Sequence, residues 1–274
     1  MGTPEQERTA WDGVATGYDE FVTPLVMPLA EDLLGRIDLN PGVSMLDVAA
    51  GTGALSLPAA RLRAQVVATD IAPAMIERLE ARARDEGLSN LEVRVMDALD
   101  LRLGDGTFDV SASQLGVTVI PDLTRGLSEM VRVTKPGGKV LIAAFGPPQK
   151  AEFLGLFIAA LKATVPGFAG PPTGPPPPQF QVADPAVFRE RLVDAGLTDI
   201  SMETVTFGLQ IPSATHLWGL LMNSNPMGRI LVAGLTEQQR EEVREVLAGM
   251  LRELSNGDRG AVLTIEVNIG LGTK

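Results

Sequence analysis

Hydrophobic and polar positions follow different patterns in successive parts of the chain. Residues 5–37 carry apolar side chains near helical spacing, which predicts helices with a break at TPLVMP, residues 23–28. From residue 43, short apolar runs alternate with segments of helical period. Strands that are apolar on both faces and alternate with helices are typical of a doubly wound parallel sheet. The pattern therefore predicts an α/β protein.

Five strands are predicted in the first half, with helices between them. The predicted strands are VSMLDVA (43–49), AQVVATD (64–70), LEVRVMD (91–97), FDVSASQ (108–114) and KVLIAAFG (139–146). The predicted helices are GALSLPAARL (53–62), APAMIERLEARARDEG (72–87) and residues 121–134. In the second of these helices, Pro73 suits the first turn and Gly87 suits the C-cap.

The second half has a less regular pattern. Its predicted elements are a helix at 184–196, a strand at 199–211, helical residues 213–233 with a break at NSNP, a helix at 236–254 and a strand at 260–272. Asp184 and Thr236 are residue types that cap helix N-termini, and Pro185 suits a first helical position.

Residues 165–180, VPGFAGPPTGPPPPQF, are rich in proline and glycine, which excludes a helix or a central strand there. Two interpretations stay open. The segment is either a surface linker with polyproline character or a loop that closes over a pocket. Phe168 and Phe180 are apolar anchors that a simple linker does not require.

Composition and charge narrow the classes of function. The chain has 274 residues, of which 45% are apolar and 21% charged, with a formal net charge of −11. This length can bury the core of a large α/β domain. A nucleic-acid partner would require clustered Lys and Arg, which occur only on short helical stretches such as ERLEARAR. We therefore expect no nucleic-acid partner.

The numbers of cysteine and histidine residues exclude several kinds of catalytic and metal site. The chain has no cysteine and one histidine, which removes disulfides, thiolate zinc sites, cysteine nucleophiles and the H-E-x-x-H motif, and we expect no metal. The first thirty residues lack the apolar core of a signal peptide, and no apolar stretch reaches the roughly 20 residues of a membrane span. We expect a cytoplasmic protein without a membrane span. The oligomeric state stays open, a homodimer included.

A glycine-containing turn follows the first predicted strand, in LDVAAGTGAL (46–55). Ligands of doubly wound sheets bind at the carboxyl ends of the strands. Gly51 and Gly53 remove Cβ atoms that would block a ligand, and they permit positive φ. Such a turn is equally common for packing reasons. A dinucleotide fold would place a third glycine at position 56, where this chain has Ser56, so pyrophosphate binding is disfavoured.

Acidic residues at two further strand ends describe the ligand. Asp70 ends the second strand and can accept hydrogen bonds from both hydroxyls of a ribose, although it can also cap the next helix. Asp97 follows the third strand, where it can accept a hydrogen bond from the exocyclic amine of adenine. The Ala98 amide can donate to a ring nitrogen. A ligand with adenine and ribose but no pyrophosphate indicates S-adenosylmethionine.

Five segments resemble the motifs of class I S-adenosylmethionine-dependent methyltransferases in order and spacing. They are LDVAAGTG (46–53), ATDIAPAM (68–75), MDALDL (96–101), FDVSASQLGVTVIPD (108–122) and TKPGGKVLIAAF (134–145). The preamble WDGVATGYDEFVTPL (11–25) is similar to the quinone and menaquinone C-methyltransferase-like branch, methyltransferase type 11. Together these motifs cover about half of the chain.

The resemblance implies a Rossmann-like methyltransferase fold with a mostly parallel seven-stranded sheet. In this arrangement residues 1–40 form a helical N-terminal cap and residues 41–150 form the core that binds S-adenosylmethionine. Residues 151–274 supply inserted lid helices on the substrate side and the final strands of the same sheet.

The resemblance also implies a set of cofactor contacts. They are Tyr18, Asp47, Ala49, Gly51, Thr52, Gly53, Asp70, Ile71, Met75, Asp97, Ala98 and Gln114. On the methionine side, the Gly51–Gly53 turn and the Ala49 backbone contact the cofactor. Asp47 holds the loop and, through water, the amino group. Tyr18, the only tyrosine, resembles the tyrosine that closes over the methionine carboxylate; the alternative is a core aromatic on an amphipathic helix.

On the adenosine side, the resemblance implies that Asp70 binds both ribose hydroxyls and that Ile71 and Met75 pack on the adenine. Gln114 is then expected near the sulfonium. The chain departs from the family pattern at Ala50, where a cysteine is frequent. This change is conservative and does not put cofactor binding in doubt.

Candidates for the chemistry itself lie in the C-terminal half. His216, the sole histidine, could act as a general base, or it could be structural. Candidate contacts of an apolar acceptor are Phe153, Phe180, Phe207, Trp218 and Met222. Each of these side chains could also belong to the core.

The sequence thus predicts a methyltransferase that acts on a small, largely apolar organic acceptor at carbon, oxygen or nitrogen, with ring carbon slightly favoured by the preamble. Two alternatives stay open. One is an enzyme of the same fold that binds S-adenosylmethionine but catalyses a non-transfer reaction such as cyclisation. The other is a binding or regulatory module that keeps the fold.

Overall fold

A single seven-stranded sheet organises the computed structural model, which describes residues 3–37, 39–168, 170, 177–224, 226–255 and 260–274. The strand order is β3-β2-β1-β4-β5-β7-β6. The strands are β1 Ser44–Val48, β2 Gln65–Asp70, β3 Leu91–Val95, β4 Phe108–Gln114, β5 Thr134–Phe145, β6 Thr198–Ile211 and β7 Ala261–Thr273. Strands β1 to β5 pair in parallel, and β7 pairs antiparallel with both β5 and β6. This confirms the predicted mostly parallel, doubly wound sheet.

Helices cover both faces of the sheet. They are α1 Pro4–Asp12, α2 Ala15–Gly17, α3 Thr23–Gly35, α4 Ser56–Arg61, α5 Pro73–Asp85, α6 Leu123–Val133, α7 Glu152–Thr164, α8 Pro185–Asp194, α9 Ala214–Asn223, α10 Pro226–Val232 and α11 Glu237–Leu254. Helices α9 to α11 lie between β6 and β7 in the chain. Among the described helices, none has the length and apolar character needed to cross a membrane.

Two large apolar clusters form the core, one on each face of the sheet. The first joins α3, α7, α9 and α11 to the sheet, with Phe157 and Leu33 fully buried. The second joins α6 and α8 to the opposite face, with Met130 and Phe188 fully buried. Burial on both faces accounts for the nearly continuous apolar runs of the central strands.

Three helix-capping residues lie where the sequence predicts them. The Asp184 carboxylate accepts a hydrogen bond from the Ala186 amide at 2.8 Å at the start of α8. Thr236 caps α11 in a reciprocal arrangement with Gln239. Gly87 follows α5 with φ of 67°. These three predictions are confirmed because each depends only on residues within one helical turn.

The predicted break at TPLVMP is wrong. Helix α3 begins at Thr23 and continues through Pro28, because its four buried leucines pack into the core. A wider π-helical turn, Tyr18–Val22, leads directly into it. The interruption lies earlier, between α1 and α2 at residues 13–14. Packing of the apolar face outweighs the loss of one hydrogen-bond donor at a proline.

Residues 169 and 171–176 of the proline-rich segment lie outside the described residues. The two aromatic anchors are described. Phe168 packs against the first core cluster. Phe180 contacts Phe145 at the end of β5, with ring centroids 6.1 Å apart.

The first core cluster gives a test of the fold. We expect Phe157→Ala to lower the free energy of unfolding by about 3–5 kcal/mol, because a side chain with 1% exposure is removed from a close-packed core. Leu254→Ala, at a position 56% exposed, should change the free energy by less than about 0.5 kcal/mol. Urea unfolding with equal m-values measures both. Equal effects of the two substitutions would contradict this description of the core.

Candidate functional site

The glycine-containing loop lies at the topological switch point of the sheet. Successive strands extend outward from β1 towards β3, and the chain then returns to pair β4 with the other side of β1. Crevices at such points are where doubly wound sheets bind ligands. Ala49, Gly51 and Gly53 all have positive φ, at 55°, 56° and 97°. Because Ala49 is not a glycine, its left-handed conformation is strained, which is typical of functional sites.

The Asp70 carboxylate holds this loop in place. Its Oδ2 accepts a hydrogen bond from the Gly51 amide at 2.9 Å, and its Oδ1 accepts one from the Ala72 amide at 2.9 Å. Asp70 therefore joins the loop after β1 to the start of α5. The capping role considered from the sequence is present. The predicted ribose contact stays a prediction, and each oxygen keeps a second lone pair for it.

Asp47 presents an unused acceptor beneath the loop. Its Oδ2 accepts a hydrogen bond from the Ser56 hydroxyl, at the position where a dinucleotide fold has its third glycine. Its Oδ1 is buried and has no partner among the described residues. Asp47 itself is 1% exposed. Buried polar atoms without partners are rare, and this one points to a ligand that donates a hydrogen bond.

Burial dominates the ionisation of both carboxyl groups. It raises the pKa of Asp47 to about 7, although the Ser56 hydrogen bonds act in the opposite direction. Burial likewise raises the pKa of Asp70 to about 6, against the hydrogen bonds from the Ala72 and Gly51 amides. Burial also raises the pKa of Tyr18 beyond its ordinary range. The site therefore favours a cationic ligand, which offsets the cost of two buried charges.

The N-terminal helices cover the loop. A Cβ atom at Gly51 would lie 3.2 Å from Cε1 of Tyr18, so the tyrosine ring rests directly on the loop. The hydroxyl groups of Thr23 and Thr52 form a buried hydrogen bond of 2.5 Å. The structure thus brings Tyr18 to Gly51 and Thr23 to Thr52. The contact with a methionine carboxylate stays a prediction.

Helix α5 provides a second attachment for this cover. The Asp12 carboxylate accepts a hydrogen bond from the Ala74 amide at 2.8 Å, and Arg82 forms an ion pair with Asp19 at 2.8 Å. Met75 is buried in a small cluster that also includes Val14. The side chain predicted to pack on adenine is therefore in contact with the N-terminal helices.

Gly53 has a packing role. A Cβ atom there would lie 2.2 Å from Cδ1 of Leu79 and 3.2 Å from Cγ of Leu57. The sequence predicts space for a ligand at both glycines of the turn. At Gly53, the nearest atoms belong to the core and not to a cleft.

The end of β4 meets the loop from the other side. The Gln114 side-chain amide donates a hydrogen bond to the Val26 carbonyl at 2.7 Å, while its Oε1 is buried without a partner among the described residues. Leu115 has φ of 61°, a strained conformation for a leucine. At Gly116, a Cβ atom would lie 2.4 Å from the Ala49 carbonyl oxygen. The two strand ends are in close contact, and both contain strained backbone.

Thr118, in the turn after β4, is a functional candidate that the sequence did not indicate. It is fully buried, and its hydroxyl has no partner among the described residues. Its carbonyl accepts a hydrogen bond from the Gln181 side chain at 2.8 Å. Gln181 follows Phe180, which contacts Phe145. No local pattern marks Thr118, because its isolation arises from contacts with a segment some sixty residues away.

The remaining predicted adenosine contacts lie after β2 and β3. The Asp97 carboxylate accepts a hydrogen bond from the Leu99 amide at 2.8 Å, which forms a local turn. Ala98 is buried, and Ile71 is partly exposed after β2. The contacts of these residues with adenine stay predictions.

His216 contacts the N-terminal cover. Its Nε2 lies 3.2 Å from the Phe21 carbonyl oxygen, and its ring packs edge-on against the Phe21 ring. A carbonyl can only accept, so Nε2 carries the proton. No carboxylate is bonded to His216 among the described residues. Its role as a base stays a prediction.

The candidate acceptor contacts fall in different places. Trp218 and Met222 line one cavity. Phe180 lies near Thr118 and Phe145. Phe153 and Phe207 are partly buried against the first core cluster. Of the five candidates, only Trp218 and Met222 therefore line the same cavity.

Comparison with known sequences identifies similar proteins. A methyltransferase domain model matches residues 46–142, from β1 into β5. Demethylmenaquinone methyltransferase of Streptomyces avermitilis is 31% identical over 219 residues, 75% of this chain and 92% of that protein. Nocamycin O-methyltransferase of Saccharothrix syringae is 27% identical over 264 residues, 93% of this chain and 92% of that protein. An uncharacterised protein of Mycobacterium bovis is 39% identical over 123 residues, 45% of this chain; the chain spans only 44% of that relative's length.

Solved structures share the fold. The (4+2)-cyclase SpnF aligns over 100% of this chain and 97% of its own, with a TM-score of 0.61 and 16% identity. Phosphoethanolamine N-methyltransferase 2 of Haemonchus contortus, solved with S-adenosyl-L-methionine, aligns over 90% of this chain and 52% of its own, with a TM-score of 0.56 and 19% identity. At these identities the likeness concerns the fold alone.

The raised pKa of Asp47 gives a test of the site. Because the folded pKa of about 7 exceeds the unfolded value of roughly 4, the folded protein holds more protons between these pH values. The contribution of Asp47 to stability therefore decreases as pH rises from about 4 to about 7. We expect Asp47→Asn to flatten this decrease in urea unfolding of the ligand-free protein, while Asp70 contributes the remaining slope.

Asp109 is the matched control, since it hydrogen-bonds the Ser44 amide at the opposite end of β1. Lys135 and Ser44 hold the pKa of Asp109 down at about 2. Its stabilising effect is present above pH 4 and is lost only as pH falls towards 2. Asp109→Asn should leave the slope between pH 4 and 7 unchanged. An unchanged slope in Asp47→Asn would contradict the buried carboxyl.

Proposed function

Because this chain belongs to the class I S-adenosylmethionine-dependent methyltransferases, we propose that it transfers a methyl group from S-adenosylmethionine to a small, largely apolar organic acceptor. The observation that carries the cofactor assignment is the buried, unpartnered Oδ1 of Asp47 beside the loop at the switch point. The residues fit the group. Two buried carboxylates suit a cofactor with an ammonium and a sulfonium, and the described residues place no basic cluster at the loop to hold a pyrophosphate.

We assign the methionine side of the cofactor to the loop and its cover. The Asp47 Oδ1 accepts from the ammonium, directly or through water, while Asp70 keeps the Gly51 amide and the loop backbone in position. Tyr18 and Thr52 then lie beside the methionine portion. On the adenosine side, the free lone pairs of Asp70 accept from the ribose.

Further adenosine contacts are assigned to residues after β2 and β3. Ile71 and Met75 flank the adenine, and Asp97 with the Ala98 amide recognises its polar edge. In this proposal residues 41–150 bind the cofactor, residues 1–40 cover it, and residues 151–274 contribute the acceptor side.

When bound, S-adenosylmethionine would supply an electrophilic methyl group, whose carbon the acceptor would attack in line with the carbon–sulfur bond as S-adenosylhomocysteine leaves. Positioning of the two reactants therefore accounts for most of the rate. The chain contributes rigid contacts for this task. The hydroxyl pair of Thr23 and Thr52 and the ring of Tyr18 exclude water from the loop. Gln114, held by the Val26 carbonyl, keeps its Oε1 free at the end of β4.

We place the acceptor beyond β4 and β5, beside Gln114 and Thr118. The aromatic pair of Phe145 and Phe180 offers an apolar wall, and the Thr118 hydroxyl offers one hydrogen bond. The names of two relatives, a demethylmenaquinone methyltransferase and a nocamycin O-methyltransferase, favour a small organic acceptor. His216 is the candidate base, and its Nδ1 is the nitrogen that can take a proton, since Nε2 donates to Phe21.

Cofactor binding gives the first test. We expect isothermal titration calorimetry to show binding of S-adenosylhomocysteine that weakens at least about tenfold in Asp70→Ala, through loss of charge-assisted hydrogen bonds to ligand and loop. Asp109→Ala removes a carboxylate near the start of β4, at the end of the strands opposite to the loop, and should leave the affinity unchanged. Absence of binding to the wild type would contradict the proposed function.

Two buried threonines give the second test. Thr118→Val removes a hydroxyl that has no partner in the described part of the chain, so the free energy of unfolding should stay equal or rise, whereas the acceptor KM should rise about tenfold. Thr134→Val removes bonds to the Ser111 hydroxyl and the Met130 carbonyl, so it should cost about 1–2 kcal/mol of stability and leave KM unchanged.

Transfer of a labelled methyl group to small hydroquinones and phenols supplies the activity for this comparison. An unchanged KM in Thr118→Val would remove Thr118 from the acceptor site. Products formed without methyl incorporation would contradict methyl transfer and support a cyclisation-type reaction instead.

A further inference from the structure

A cavity separate from the strand ends lies among the three helices inserted before β7. It has a volume of about 570 Å³ and is formed by α9, α10 and α11. The residues of this arginine groove that matter here are Trp218, Met222, Arg229, Glu237, Arg240 and Arg244. None of its lining residues belongs to the glycine-containing loop or to the end of a strand.

Arg229 and Arg240 bring guanidinium groups to this groove with little local neutralisation. Arg229 donates to two backbone carbonyls, Met222 at 3.2 Å and Gly13 at 3.3 Å, and to no carboxylate among the described residues. Arg240 donates to the Val232 carbonyl at 3.3 Å. Carbonyl partners leave the positive charges available to an anion.

Arg240 also carries an unused donor. Its Nε is buried and has no partner among the described residues. Among the described residues, the only carboxylate paired with Arg240 is that of Glu237. Its Oε2 lies 3.9 Å from Nη1 of Arg240, and its side chain is 92% exposed. A buried N–H without an acceptor is costly, and an anion in the groove would supply the missing acceptor.

Arg244 adds a third guanidinium one helical turn along α11. Its partner Glu241 lies at 3.4 Å and is itself exposed. Three guanidinium groups thus line the groove against two solvent-exposed carboxylates, in a chain whose net charge is −11. The local sign of the charge is opposite to that of the whole chain.

The other wall of the groove is apolar. Trp218 and Met222 lie one helical turn apart on α9 and both line the cavity. Trp218 is partly buried against the first core cluster, so part of its surface stays available. Aromatic and sulfur-containing surfaces favour a flat or apolar ligand body.

We propose that the arginine groove binds an organic anion: a carboxylate or phosphate held by Arg240 and its neighbours, attached to an aromatic or apolar body that contacts Trp218 and Met222. The site does not depend on the proposed methyl transfer. It adds a second ligand class to the molecule, since the cleft at the strand ends favours a cation.

The test uses calorimetry on the full chain with four probes: benzoate, phenyl phosphate, inorganic phosphate and benzyl alcohol. We expect benzoate or phenyl phosphate to bind more tightly than inorganic phosphate, which lacks the ring, and than benzyl alcohol, which lacks the charge. The tighter of the two aromatic anions identifies the headgroup as a carboxylate or a phosphate. Binding should weaken as salt is added.

Arg240→Gln should weaken the tighter aromatic anion about ten- to hundredfold, the effect of losing charged hydrogen bonds. Arg125→Gln is the matched control, because Arg125 also donates to a backbone carbonyl, that of Leu99, but lies on α6 away from the groove. Its substitution should leave the affinity unchanged.

Glu237→Gln tests the same groove without the risk that loss of Arg240 disturbs the helices. The side chain of Glu237 is almost fully exposed, so its replacement leaves the fold intact and removes a carboxylate that competes for Arg240. Affinity for the anion should rise about two- to fivefold at low salt. Absence of binding, equal binding of benzyl alcohol, or binding that neither variant changes would overturn the proposal.

Discussion

The hydrogen bonds of Asp70 to the amides of Gly51 and Ala72 are the constraint on which the site depends. They join the loop after β1, the end of β2 and the start of α5 through one carboxylate. Burial of that carboxylate is unfavourable, as its raised pKa indicates, and the two amides offset part of the cost. Since α5 also binds Asp12 and Asp19 of the N-terminal segment, the same carboxylate fixes the surface on which the cover rests.

The loop and its cover are therefore mechanically connected. Tyr18 rests on Gly51, and Thr23 bonds Thr52, so a ligand that reaches the loop alters contacts with both. Backbone strain at Ala49 and Leu115 lies beside the same loop. Strain of this kind persists only where surrounding contacts outweigh it, and here the close approach of Gly116 to the Ala49 carbonyl fixes both turns.

The parts of the structure that sequence could predict are those fixed within a few residues. Local periodicity and side-chain chemistry predict the strand ends, the caps at Asp184 and Thr236, and the capping role of Asp70 at the start of α5. The break expected near Pro28 failed because the buried face of α3 compensates for a proline, which only tertiary packing reveals. Thr118 and Arg240 gave no signal either, since a missing partner becomes visible only when distant segments are packed together.

Local desolvation, more than net charge, determines what each site of this molecule prefers to bind. A net charge of −11 would suggest that anions are repelled everywhere. Exposed charges, however, are screened within about 10 Å at ordinary salt, whereas buried groups are screened much less. Asp47 is buried beside Asp70, so the cleft favours positive charge. The Nε of Arg240 is buried while its carboxylate neighbour is exposed, so the groove favours negative charge. The two preferences coexist because each is set by the atoms that water cannot reach.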